Sequence, residues 1–128
     1  MTQAEVDQLK QGQTPPQPTV TYGMTLTEYA EWTRKMWLSR TLESRDFTIM
    51  SLGLPEEAGE VAGILKKFVR DGNLDQMKLK KELGDVLYYW AMICNYFGFD
   101  PEEIVVINVE KIEGRHARGT LRGSGDDR

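Results

Sequence analysis

The chain has little of what many enzyme classes need. Of its 128 residues, one is cysteine and one is histidine. A lone Cys94 excludes an intramolecular disulfide. With His116 as the only histidine, a zinc site of Cys and His is excluded too. Basic residues are outnumbered, with 16 Lys and Arg against 20 Asp and Glu and a formal net charge of −4. A general nucleic-acid binder is usually basic, so no nucleic-acid partner is expected. No apolar run approaches the ~20 residues of a membrane helix. The opening MTQAEVDQLKQGQ lacks the apolar core of a signal peptide, so no membrane partner and a cytoplasmic location are expected. The glycines form no Gly-x-x-x-x-Gly-Lys phosphate loop. Alternating strand patterns and hairpin signals are missing as well.

What is present is helical. Residues 1–22, rich in Gln and Thr with Pro15, Pro16 and Pro18, read as a flexible tail or as an arm for a partner subunit. Thr25-x-x-Glu28 is a capping-box pattern, followed by Tyr29, Trp32, Thr33, Met36 and Trp37 at helical spacing. Residues 38–45 read as a connection. Asp46 suits the cap of a second helix, and Pro55 predicts a kink or restart before that helix continues to about Val69. A third helix is expected from about Leu74 to Phe97, capped by Gly98. Asp100-Pro101-Glu102-Glu103 starts a fourth, running to about Glu113. The fold expected is all-α, a four-helix bundle-type protomer. Its domain spans 23–116, and a Gly/Arg-rich tail follows at 117–128.

Two helices carry acids on their apolar side. Glu57 and Glu60, and likewise Glu82 and Asp85, are spaced i, i+3 and share a face. At about 100° per residue, Glu57 falls within the stripe Leu54, Ala58, Val61, Leu65 and Phe68. Glu60 lies at its edge, and Glu56 points more nearly outward. Glu82 falls between Tyr89 and Val86 on the apolar face that Ile93 and Tyr96 continue, with Asp85 beside Tyr96 and Met92. Buried carboxylates are costly unless paired, hydrogen-bonded or metal-bound. Antiparallel packing across the Asp71-Gly72-Asn73 turn would bring the four together, and a hard divalent cation would offset their repulsion. The bland alternative pairs them with Lys67, Lys78 or Lys81. A di-iron carboxylate bundle is excluded, since it needs a Glu-x-x-His on each of two helices.

LGLPEEAGEVAGILKKF, KKELGDVLYYWAMICNYFGFDPEEI and NVEKIEGRH together resemble the MazG-like all-α nucleoside triphosphate pyrophosphohydrolases, over about residues 25–116. The family's EExxE and ExxD match Glu56-Glu57-Ala58-Gly59-Glu60 and Glu82-Leu83-Gly84-Asp85, and the 61–81 interval has a length typical of the family. The resemblance implies hydrolysis of (deoxy)nucleoside triphosphates between the α and β phosphates, with Mg²⁺ or Mn²⁺. It implies homodimers or homotetramers with sites between subunits. Glu57, Glu60, Glu82 and Asp85 would be the metal ligands. Glu56 would join Glu57 and Glu60 as a catalytic residue, orienting the attacking water. A divalent ion offsets triphosphate charge and activates water, so no nucleophilic Ser, Cys or His is required; Cys94, on an apolar helix, reads as core.

Asn108, Lys111 and Arg115 share a face and match the family's Asn…Lys…Arg pattern, with His116 where a Tyr is common. They are candidate phosphate contacts, as are Lys67 and Lys81. The bland reading of Lys111 and Arg115 is a role at the helix dipole or in pairs with Glu110 and Glu113. RGTLRGSGDDR resembles tails of compact, often phage-encoded members, and reads as a lid or as a disordered end; a phage-encoded chain would act in the host cytoplasm. Trp32 and Trp37 are candidates to stack a base, Trp32 being the one taken as a site residue, against the bland reading of core or interface residues. Tyr88, Tyr89 and Trp90 point three ways around their helix, which predicts self-assembly. By analogy the base preference leans to dGTP or GTP. Two other readings remain: a non-catalytic nucleotide- or metal-binding helical module, and a phosphoribosyl-ATP pyrophosphohydrolase.

Overall fold

The computed structural model describes residues 2–4 and 22–128. Most of the segment expected as an N-terminal tail lies outside them. Four helices follow in order: α1 (Leu26–Met36), α2 (Ser44–Asp71), α3 (Gln76–Phe97) and α4 (Pro101–Ala117). The described residues form no strand, and the all-α expectation holds. None of the described helices is long and apolar enough to cross a membrane.

The helix starts follow side-chain chemistry. At α1, the Thr25 hydroxyl accepts from the Glu28 amide at 3.1 Å, and the Glu28 carboxylate accepts from the Thr25 amide at 2.7 Å. These are the reciprocal bonds of a capping box. Asp75 and Asp100 cap α3 and α4 through the amides of Lys78 and Glu102. Gly98 ends α3 in the left-handed conformation. α2 differs from expectation at its start. Glu43 is the residue before the helix, and Asp46, expected as the cap, lies one turn inside, reaching back to the Glu43 amide at 2.8 Å.

Pro55 does not divide α2, which runs through it for 28 residues. Proline leaves the carbonyl four residues earlier without its helical donor. Here that residue is Ser51, which is exposed like Pro55, so solvent can satisfy the carbonyl.

α2 and α3 form the largest helix pair, α1 lies on α3, and α4 touches α1. The pair is antiparallel, since Phe47 meets Tyr96 while Gly53 meets Tyr89 further along. The core centres where α1, α3 and the first half of α2 converge, on Met50, Met92, Ala91, Cys94, Ala30 and Thr33, with Ile64 buried further along α2. Cys94 is core, as expected, and burial pushes its thiol above the ordinary value. The Asn95 amide group donates to the Ala30 carbonyl at 2.9 Å and the Thr33 hydroxyl at 3.2 Å, which ties α1 to α3.

The second half of α2 departs from its expected role. Leu65 and Phe68, assigned to the core stripe, are 43% and 41% exposed, and Ala58 is exposed too. Ile64 is buried here, but among the described residues α3 is the main helix packed on α2, and one helix is too narrow to bury the whole stripe.

Candidate metal centre

Glu57 projects from the middle of α2, and Glu82 and Asp85 from the first half of α3. The antiparallel pairing that sets Gly53 against Tyr89 brings these positions level. Each of the three offers a carboxylate oxygen, and the three oxygens lie within 4.8 Å of one another. Glu57 and Glu82 are half-buried and Asp85 is exposed. Glu60 is exposed and stands outside this group. Its i+3 position rotates it about 60° from Glu57, towards the edge of the stripe. Glu56 is exposed on the flank.

The electrostatics show an uncompensated cluster. The Glu57 carboxyl is held above its ordinary range by burial, then by the carboxylates of Asp85 and Glu82. Tyr89, on the next turn of α3, has its phenol pushed up by burial and by Glu57, Glu56 and Asp85. Tyr29 on α1 is raised by burial, Tyr88 and Asp85. Among the described residues the ion pairs are Arg70–Asp71, Lys111–Asp126 and Arg115–Asp126. None touches the three acids, so the lysine-paired alternative is not the arrangement formed. Lys67 and Lys81 are exposed on the same helices without an ion pair. Three close carboxylates with no cationic partner fit a hard divalent ion, which takes oxygen ligands.

A cleft of about 690 Å³ opens between the α1–α2 connection, α2 and Tyr88 of α3, and none of Glu57, Glu82 and Asp85 lines it. Trp37, Arg40, Arg45, Ile49 and Tyr88 contribute to its lining. The connection is a built loop. Asp46 accepts from Trp37 Nε1 and Ser39 Oγ, both at 2.8 Å, and from the Glu43 amide. Those three donors, Trp37 first, hold its carboxyl down at about 2. From the other side, Arg34 donates to the carbonyls of Ser39 and Arg40. Trp37 stacks on Tyr88 at a centroid distance of 6.3 Å, and Tyr88 meets Tyr89 edge-on at 5.6 Å. Tyr88 of the cleft lining is thus in ring contact with Tyr89.

A family model of the MazG nucleotide pyrophosphohydrolase domain matches residues 45–120, more than half of the chain. The chain belongs to this family. The MazG domain spans α2, α3 and α4, and so includes all three clustered acids. Over 84 residues the chain is 38% identical to the Gene 37 protein of Mycobacterium phage L5, covering 62% of this chain and 74% of that protein. No solved structure matches the chain.

The other candidate residues lie elsewhere on the MazG domain or beside it. Trp32 packs on Tyr29 at 5.7 Å and on the edge of Tyr88, away from the cleft lining that Trp37 provides. Asn108 and Lys111 are exposed on α4, and Arg115 is buried at its end. Lys111 and Arg115 pair with Asp126, not with Glu110 or Glu113. Sequence reasoning missed the loop around Asp46 and the tail contact through Asp126. The concentration of Trp37, Arg40, Arg45 and Asp46 around residues 38–45 was the available signal for the loop.

Proposed function

We propose that the chain hydrolyses nucleoside triphosphates between the α and β phosphates, releasing a monophosphate and pyrophosphate, at a divalent-metal site on α2 and α3. Its family gives the general activity, a nucleotide pyrophosphohydrolase. The observation that carries the finer reading is the unpaired trio of Glu57, Glu82 and Asp85. These three bind Mg²⁺ or Mn²⁺, and Glu60 joins them as a fourth ligand from the adjoining turn. The bound ion supplies charge neutralisation for the polyphosphate and activation of water. Glu56, exposed beside the cluster, orients the attacking water and receives its proton. The cleft beside Tyr88 takes the nucleoside, with Trp37 offering a stacking surface and Arg40 and Arg45 positive charge. Lys67 and Lys81, from the same two helices, and Asn108, Lys111 and Arg115, from α4, contact phosphate oxygens. The helices supply position and charge, which is what phosphoryl chemistry demands of a protein. A guanine nucleotide, dGTP or GTP, is the first substrate to test, in a dNTP-pool role.

The test is pyrophosphate release from each of the eight common NTPs and dNTPs, with Mg²⁺ and with Mn²⁺, for wild type and Asp85→Asn. Turnover of at least one nucleotide that disappears with EDTA and falls at least 100-fold in Asp85→Asn is expected. Negligible release from both proteins with every nucleotide overturns the proposal. Equal release from both removes Asp85 from the site.

A further inference from the structure

The end of α4 and the residues after it make a second polar construction, apart from the acids. The Arg115 side chain is only 8% exposed. Its Nη2 donates to the Asp126 carbonyl at 2.8 Å, the Asp126 carboxylate at 3.1 Å and the Gly125 carbonyl at 3.4 Å. Lys111 Nζ, one turn earlier, lies 3.6 Å from the same Asp126 oxygen. The segment is wound around Arg128. Its Nε donates to the Thr120 carbonyl at 3.1 Å, and its other nitrogens donate to Leu121 and Gly125 carbonyls. The Arg128 carbonyl in turn accepts from Arg118 at 2.6 Å. The expectation for this segment was a lid or a disordered end; here it is a folded return onto α4.

The exposures within this contact are lopsided. The arginine is buried, while the Asp126 side chain that neutralises it is 84% exposed. Arg115 Nε is buried with no hydrogen-bond partner at all. A guanidinium has five donors in a fork suited to several oxygens of one anion. One carboxylate and two carbonyls, all bonded by Nη2, leave that fork under-used, and a buried donor without a partner costs free energy. A polyphosphate brings more charge and more acceptor oxygens than a carboxylate does. The carboxylate it would replace is 84% exposed and can return to water.

We propose that Asp126 is a tethered competitor at an oxyanion subsite formed by Lys111 and Arg115, held in place when the subsite is empty and displaced by the polyphosphate of an incoming nucleotide. The inference rests on reading Lys111 and Arg115 as phosphate contacts, and adds that the chain carries its own placeholder for that phosphate. The segment 118–128 is then a lid that opens on binding. Asp126 makes no contact with substrate; it sets the fraction of subsites that are open. An occupied subsite lowers apparent affinity by that open fraction, so freeing it tightens binding.

The probe is inorganic pyrophosphate, titrated into the full chain in EDTA. Calorimetry reads its affinity, and hydrogen exchange reads the amides of residues 118–127. Wild type is compared with Asp126→Asn, Lys111→Met and Arg115→Lys. Asp126→Asn is expected to bind about 3- to 10-fold more tightly. Pyrophosphate should speed exchange across 118–127 in wild type, and that segment should already exchange fast in Asp126→Asn. Binding by Asp126→Asn that is equal or weaker, or wild-type binding that leaves exchange in 118–127 unchanged or slower, overturns the tethered competitor. If Lys111→Met and Arg115→Lys bind as wild type does, or wild type does not bind, the phosphate subsite itself falls and takes the competitor with it. Weakened binding in those two variants without tightening in Asp126→Asn removes the competitor alone.

Discussion

Three carboxylates within 4.8 Å of one another repel at neutral pH, and burial together with its acidic neighbours holds Glu57 above its ordinary range. Replacing Glu57 by glutamine removes a charge and keeps the shape. The metal-free chain should therefore gain stability in Glu57→Gln, by up to about 1 kcal/mol, while metal-dependent turnover is lost. Thermal unfolding in EDTA checks the first, and pyrophosphate release the second. Divalent ion should reverse the ranking. Wild type at a tenfold excess of Mg²⁺ over Kd gains about 1.4 kcal/mol, and Glu57→Gln gains less. Asp46 has the opposite electrostatics, with donors from Trp37, Ser39 and Glu43 holding its folded value near 2 against an ordinary 3.8. A lowered folded value means a stabilising contribution that is complete above the ordinary value. It is lost as pH falls from about 4 to about 2. Asp46→Asn should remove that part of the acid sensitivity, read as a flatter dependence of melting temperature on pH over that window. The two acids differ in how far the sequence revealed them. Glu57, Glu60, Glu82 and Asp85 stand out together on helical periodicity; three of them meet, while Glu60 lies outside the group and Asp85 is exposed. Asp46 looked like a cap because its partners Trp37 and Ser39 reach it through the bend of residues 37–43, which no periodicity describes.

At the scale of elements, the site exists because α2 and α3 come close enough for acids on both to meet. Gly53 is where they approach. A Cβ built there collides with the Tyr89 ring, and Tyr89 sits one turn from Asp85. Gly53→Ala should gain helix propensity of about 1 kcal/mol yet lose more to the displaced ring. Overpacking of this kind costs about 1–3 kcal/mol, so a net loss of stability is expected, together with lower turnover as the two helices separate. A denaturation curve and a pyrophosphate assay on the same preparation check both; a more stable, fully active variant would show that the ring moves freely. The helices were legible in the sequence from caps such as Thr25–Glu28 and Asp100–Pro101, which act locally. Pro55 does not restart the helix; the carbonyl it frees belongs to exposed Ser51, and no local pattern says which side of α2 faces out. The α4–tail contact was hidden for a related reason. Arg115 stands out in the sequence as a phosphate candidate, but nothing there pairs it with Asp126; only the return of the chain does.

For the whole molecule, the described chain leaves much apolar surface in water. On α4, Val106 and Ile107 are 54% and 56% exposed, and Val109 and Ile112 are 47% and 41%. Leu65 and Phe68 on α2 and Leu83 on α3 are exposed as well. Scattered exposed apolar residues are normal, but runs of them along one helix mark interaction sites. α4 is the helix with least support from its own protomer, touching α1 near its start, where Glu102 accepts from the Thr27 amide at 3.3 Å. A 17-residue helix so weakly packed is marginal by itself. Covering its apolar residues with a second copy removes water from several large side chains at about 25 cal/mol per Å². The chain is therefore expected to be a dimer or tetramer in solution, with α4 in the interface. Light scattering after size exclusion gives the mass directly. Ile107→Glu puts a charge where the partner should lie, so it should shift the mass towards one protomer. If Lys111 and Arg115 serve a site shared between protomers, pyrophosphate release should fall with that shift even though no acid ligand has changed. A monomeric wild type would break this chain of reasoning at its first step. A monomeric but fully active Ile107→Glu would uphold α4 as the interface and confine the chemistry to a single copy.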